Sequence, residues 1–201
     1  MRRLDVLSDN PFATNCWIFS GEDSPEAVVV DPGFNPDVVR ARVEHMGRRL
    51  AAVLATHGHG DHIGSVPGVC GEDVPLYIHK EDELALTDQR GWGAGFAVEA
   101  DFRPQEVRLL GDGDLLEFEG FRIEVLHTPG HTPGHVCFLT DGLVFSGDLV
   151  FRGSIGRYDF PNSREADMMA SLRRFLELQD ELDVYPGHGQ ETTVGFERRS
   201  N

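Results

Sequence analysis

The apolar run Ala51-Ala52-Val53-Leu54-Ala55 leads straight into Thr56-His57-Gly58-His59-Gly60-Asp61-His62. A short apolar run bounded by such a loop reads as a buried strand. The three imidazoles and one carboxylate then stand at a strand end, where the backbone leaves a sheet and side chains can converge. Gly58 and Gly60 tolerate the torsions that aiming neighbouring rings at one point requires. Neutral imidazole suits zinc, and imidazole with carboxylate also suits iron or manganese. The competing reading is a His-rich surface tract without partners. It loses force only if the rest of the chain completes a site.

Three further strand exits do so. Phe121, Ile123 and Val125 alternate with Arg122 and Glu124, the signature of a half-buried strand. That strand runs into His127-Thr128-Pro129-Gly130-His131-Thr132-Pro133-Gly134-His135. Leu143-Val144-Phe145 ends at Ser146-Gly147-Asp148, and Val184-Tyr185 enters Pro186-Gly187-His188-Gly189. In each case Gly, often with Pro, bends the chain beside a metal-competent side chain.

The remaining segments fill in a layered pattern. Residues 4–7 and 14–20 read as a strand pair turning at Asp9-Asn10-Pro11. Ala27–Val30 is a third strand, ending in Asp31-Pro32-Gly33. Asp31 either reaches the site or shapes the turn, and the turn is the stronger expectation. Asn35-Pro36 predicts a capped helix with Val39, Val43 and Met46 on its apolar face and Gly47 as its stop. His45 falls off that face. Ile63 to Val66 is expected to be a short helix ended by Pro67-Gly68. Leu76-Tyr77-Ile78 reads as a strand followed by a structural His79, with Glu81-Asp82-Glu83 opening a helix. Residues 87–104, with Trp92, Phe96 and Phe102, show no period. They read as an irregular loop over the core edge, with a substrate wall or subunit contact as the alternative. A helix is expected over 163–178, with Asn162 and Glu165 as a capping box and Met169, Leu172, Phe175 and Leu176 facing the core. Strands, helix, strand and ligand loop occur twice in this order, which implies two similar halves.

A chain of 201 residues has one domain as its prior. Its net charge of -16 argues against a nucleic-acid or anionic-membrane surface. The three cysteines, Cys16, Cys70 and Cys137, form no disulfide framework. The N-terminal residues carry charge without a following apolar region, and no stretch is long enough to span a bilayer. The expectation is a cytoplasmic protein.

His57-x-His59-x-Asp61-His62, Thr-Pro-Gly-His131-Thr-Pro-Gly-His, Ser-Gly-Asp148 and Pro-Gly-His188-Gly together resemble the metallo-β-lactamase superfamily. More narrowly, they resemble its glyoxalase II-like thioester hydrolases. The resemblance implies an α/β fold, a four-layer αβ/βα sandwich over residues 1–201, with a dinuclear site on one edge. It implies that His57, His59 and His131 bind one ion, that Asp61, His62 and His188 bind a second, and that Asp148 bridges them. His127 and His135 become supporting groups. The two divalent ions are expected to be zinc, with iron or manganese also fitting. The implied activity is hydrolysis of a small thioester, such as lactoylglutathione, by a metal-bound hydroxide, which forms at neutral pH because metal binding lowers the pKa of water toward about 7. A free thiol has a pKa near about 8.5 and leaves without a strong general acid, so such a site suits thioesters better than amides. Asp61 and Asp148 are the carboxylates with a catalytic role, Asp61 being able in principle to act as a base. Gly153–Pro161 resembles the family segment beside the thiol carrier. It puts forward Arg157 and Tyr158 as substrate-binding residues, against an internal Arg157–Asp159 ion pair. The chain ends soon after His188, without the C-terminal helical domain of classical glyoxalase II proteins, so another thiol carrier than glutathione stays open. A mononuclear iron persulfide dioxygenase and a lactone or ester hydrolase of the same superfamily are the alternatives. The oligomeric state is not legible.

Overall fold

The protein was analysed as a computed structural model that describes residues 3–92 and 101–201. Two six-stranded mixed sheets pack face to face with helices outside. The first sheet holds, in spatial order, β1 (Arg3–Leu7), β2 (Cys16–Ser20), β3 (Glu26–Val30), β4 (Arg49–Leu54), β5 (Leu76–His79) and β6 (Val107–Leu110). Its first three strands are antiparallel neighbours, and β3 to β6 run parallel. The second sheet contains β7 (Leu115–Phe118), β8 (Phe121–His127), β9 (Val136–Thr140) and β10 (Leu143–Gly147) as an antiparallel meander. After the small hairpin of β11 (Val150–Phe151) and β12 (Ser154–Ile155), the sheet is completed by β13 (Asp183–Pro186), parallel to β10, and β14 (Thr192–Thr193).

The core strands are buried on both faces. In β3, Val28 and Val30 enter the inter-sheet core with Phe19, Phe138 and Phe145, while Ala27 and Val29 face helices α1 (Pro36–His45) and α3 (Val66–Cys70). On the far side, Cys137, Val144 and Val184 meet α4 (Glu165–Phe175) and α5 (Val194–Ser200). This double coverage is why these strands read as continuous Val/Leu/Ile/Phe runs. The layers are therefore helix, sheet, sheet, helix, and the two halves correspond. In each, an antiparallel pair is followed by a helix that crosses to a parallel strand: β3–α1–β4 and β10–α4–β13. A ligand loop leaves the end of each such strand.

Several local expectations need correction. Pro67 does not end a helix. The short α2 (Gly60–Ile63) carries Asp61 and His62, and Pro67 sits in the first turn of α3, where its missing N–H costs nothing. Asn162 does not cap α4; Arg164 holds that position in extended conformation with no side-chain cap. Asn35 holds the cap position before Pro36, but with a left-handed φ of 67° and no side-chain cap bond. Glu83–Leu86 forms a 3-10 turn rather than a longer helix. Within 87–104, Trp92 is buried and Phe102 packs on the same core, but Phe96 and its neighbours lie outside the described residues. All three cysteines are free and buried, and His45 is exposed. Among the described residues no helix is long and apolar enough to cross a membrane.

Candidate metal centre

The loops that leave β4, β8, β10 and β13 meet at one edge of the sandwich. His57 Nε2 and His131 Nε2 lie 3.0 and 2.9 Å from His59 Nδ1. On the other side, His62 Nε2 lies 3.5 Å from Asp61 Oδ2, and His188 Nε2 lies 3.3 Å from it. Asp148 stands between the two groups. Its Oδ1 is 3.5 Å from His62 Nε2, and its Oδ2 is 3.6 Å from both His131 Nε2 and His188 Nε2. All seven side chains expected from the sequence are thus brought together, six of them in two metal-competent groups and Asp148 between them.

Their supports fix which nitrogen each ring presents. Asp31 accepts the Thr56 N–H at 2.7 Å and the Thr56 hydroxyl at 2.7 Å. The Thr56 oxygen is then an acceptor for His57 Nδ1–H at 3.0 Å, which leaves His57 Nε2 with a bare lone pair. Asp31 also accepts from His62 Nδ1–H at 3.0 Å. His131 Nδ1–H donates to the Arg157 carbonyl at 2.7 Å. The bare Nε2 atoms of His57 and His131 both face His59 Nδ1, and one proton cannot satisfy both. His59 Nε2, His62 Nε2 and Asp148 Oδ1 are buried with no hydrogen-bond partner. Surplus lone pairs and orphaned buried donors in one cluster are what a divalent cation removes. The residues fit a metal.

Electrostatics separate the two groups. Burial lowers His57, His59 (to about 3) and His131; neighbouring histidines add to this at His57 and His59, while Asp148 and the Arg157 carbonyl oppose it at His131. Burial also opposes charge on His62, but Asp61, Asp148 and Asp31 outweigh it and raise this ring well above the ordinary imidazole range. Against burial, His62, His131 and His188 hold Asp148 well below the usual carboxylate range, and His62 and His188 hold Asp61 at about 2.

The structure adds Thr14 and Asp82, which sequence reasoning missed, and gives His135, expected as a supporting group, its partners. Thr14 donates its hydroxyl to Asp61 Oδ2 at 3.1 Å, from a backbone bridge to His188. His135 accepts the Asp148 N–H at 3.1 Å and donates Nδ1–H to Thr128. Asp82, fully buried, accepts Gly58 N–H (2.8 Å), the Thr132 hydroxyl (2.6 Å) and Gly134 N–H (2.6 Å). It clamps the loop of His57 and His59 to the loop of His131. The only sequence signal for it is an acidic residue just past a strand end. Burial pushes the Asp82 carboxyl from 3.8 up to about 6, despite these three donors. The folded chain therefore binds a proton that the unfolded chain releases, and this contribution is full below pH 3.8 and lost as pH rises through about 6. Asp82→Asn cannot titrate. The stability gap between wild-type and variant metal-free protein is expected to narrow by about 2 kcal/mol from pH 4 to pH 7, at 1.36 kcal/mol per unit. Urea unfolding across that range reads it, and a pH-independent gap refutes it.

A cavity of about 260 Å³ opens over the centre, lined by His59, Asp61, His131, Asp148 and His188 with Phe151, Ile155, Phe160 and Arg157. The Arg157 fork is bound by Asp159 at 2.8 and 3.0 Å and stacks 4.4 Å over Phe160. Tyr158 is 38% exposed and lies outside this lining.

Residues 9–188 match the model of the metallo-beta-lactamase superfamily. The chain belongs to the metallo-β-lactamase superfamily. Its membership accounts for the four ligand loops and the four layers together. A curated relative, "Hydroxyacylglutathione hydrolase GloC" of Haemophilus influenzae, is 31% identical over 98% of this chain and 96% of its own length. The crystal structure of TTHA1623 in a di-iron-bound form superposes with a TM-score of 0.84 at 39% identity, covering 98% of each chain. The structure of ETHE1 from Myxococcus xanthus gives 0.81 at 27% identity, covering 99% of this chain and 83% of that one. As a superfamily member the chain is a metallo-hydrolase type of enzyme.

Proposed function

We propose that this metallo-β-lactamase superfamily chain hydrolyses thioesters of small thiols, of the S-2-hydroxyacylglutathione type. His57, His59 and His131 hold one divalent ion, Asp61, His62 and His188 hold the other, and Asp148 bridges. Zinc is the first expectation; the di-iron form of the TTHA1623 structure supports iron as the alternative. Bound there, the two ions supply a hydroxide nucleophile at neutral pH and charge stabilisation for the carbonyl oxygen.

The observation that carries the reading is the lining of the cavity. Besides the five ligand candidates it contains Phe151, Ile155, Phe160 and Arg157, and among the described residues no side chain is placed as a spare proton donor. Arg157 stays charged, and its fork is engaged by Asp159. A leaving group must then depart as its own anion. A thiolate, with a conjugate pKa near about 8.5, does so readily, and an amide nitrogen does not. The apolar wall of Phe151, Ile155 and Phe160 suits a short acyl chain. Thr14 and Asp31 keep Asp61 and His62 in place, and the Arg157 carbonyl keeps His131 in place. The H. influenzae relative, named for hydroxyacylglutathione hydrolysis, agrees with this substrate class.

The test is turnover of S-lactoylglutathione by metal-assayed protein, following loss of the thioester and release of thiol. Turnover that tracks metal content is the expected result. No turnover with two ions per chain would remove glutathione as the carrier. One iron per chain with oxygen uptake on a persulfide would replace hydrolysis by the oxidative alternative.

A further inference from the structure

Two histidines that the centre above does not use meet across the sandwich. His79 ends β5 in the first sheet, and His127 ends β8 in the second. Their rings stack with centroids 4.0 Å apart and planes 14° apart. With Glu81 they offer three donor atoms that all lie within 4.8 Å of one another. We propose that His79, Glu81 and His127 form a third divalent-cation site, which pins the end of one sheet to the end of the other.

The tautomer of His127 supports it. Its Nε2–H donates to the Pro133 carbonyl at 2.9 Å, so Nδ1 carries the free lone pair. A ring proton tied to a backbone carbonyl is the usual support of a metal-ligating histidine. His79 receives only a long contact, 3.3 Å, from the Glu81 N–H, and this gives way at little cost. Burial and the neighbouring His127 and Lys80 hold His79 at about 4, so the ring is neutral and able to ligate at pH 7. Asp112 and Asp114 add negative potential at the same place. Asp112 also accepts the His127 backbone N–H at 2.8 Å, which fixes the strand end. Glu81 is exposed and free to swing inward.

Metal–nitrogen bonds of about 2.1 Å in tetrahedral geometry need the two nitrogens about 3.4 Å apart. A ring nitrogen ligates in its own ring plane, so the two near-parallel planes must swing well apart to converge on one ion. That adjustment makes the site weaker than the seven-residue centre, whose donors are held by their own hydrogen bonds. None of its three donors belongs to that centre, so its occupancy is independent of which reaction the centre performs.

The experiment is titration of Zn²⁺ into metal-free wild-type protein, Glu81→Gln and His127→Gln by calorimetry, with His127 followed by long-range nitrogen NMR. His79 is buried and is left intact so that folding is not at issue. Wild type is expected to take up a third, weaker equivalent that shifts His127 Nδ1. Each variant is expected to weaken that event at least about tenfold while the two tighter events persist. Zinc saturation of wild type with no shift of His127 Nδ1 overturns the proposal. So does a third event of unchanged strength in both variants.

Discussion

Replacing Asp148 by alanine is expected to cut thioester turnover by more than about a hundredfold and to lower bound metal below two ions per chain. Losing even a supporting group around a metal typically costs about 10–100-fold, and Asp148 is proposed as a direct ligand to both ions. Its two oxygens lie 3.5–3.6 Å from His62, His131 and His188, and no other side chain here stands between both groups. In the metal-free protein the substitution also removes one of the carboxylates that favour charge on buried His62. Elemental analysis and turnover on the same preparation check the prediction. A variant with two ions and near wild-type turnover would refute the bridging role.

Gly156→Ala is expected to be nearly as damaging without touching a ligand. A Cβ at this position would lie 1.7 Å from the Asp148 carbonyl oxygen and 3.4 Å from His131 Nδ1. The obstacle is backbone, so no rotamer change relieves it. The segment must move, and with it the adjacent Arg157 carbonyl that orients His131. Overpacking of this kind costs about 3 kcal/mol or more, which for a chain of this size lowers the melting temperature by about 6–12 °C. Gly153→Ala is the control. Its φ is +69°, and nothing lies within 4 Å of an added Cβ. It should cost only about 1–2 kcal/mol, from the left-handed backbone alone. Thermal unfolding of both variants, with metal content alongside, separates contact from conformation. Equal, small shifts in the two would sink the argument.

The four candidate ligand loops were legible because each is a short Gly- or Pro-bent run just past an apolar strand, and the family resemblance then singled out His131 from His127 and His135. The layers were legible because buried strands and amphipathic helices write their periods into the chain. Asp31, Asp82 and Thr14 show a different limit. For Asp31, turn formation and reach into the site were read as alternatives, and the structure realises both. Its φ of 51° makes the turn, and its carboxylate orients His62 and Thr56. Asp82 sat in the acidic run Glu81-Asp82-Glu83, where one buried carboxylate looks like its solvated neighbours. Its partners, Gly58 and Thr132, are 24 and 50 residues away, so only tertiary structure can name them. Pro67 was misread because proline both stops and starts helices, and its neighbours here leave the direction open.

The division of ligands between the sheets makes this centre a conjunction. The first sheet's loops carry His57, His59, Asp61 and His62, and the second sheet's loops carry His131, Asp148 and His188. The groups His57–His59–His131 and Asp61–His62–His188 each draw on both, and the Gly111–Asp114 link is where one sheet passes to the other. Neither half of the polypeptide supplies all the donors of either of these two groups, so an ion held by one of them would tie the two sheets together at that edge.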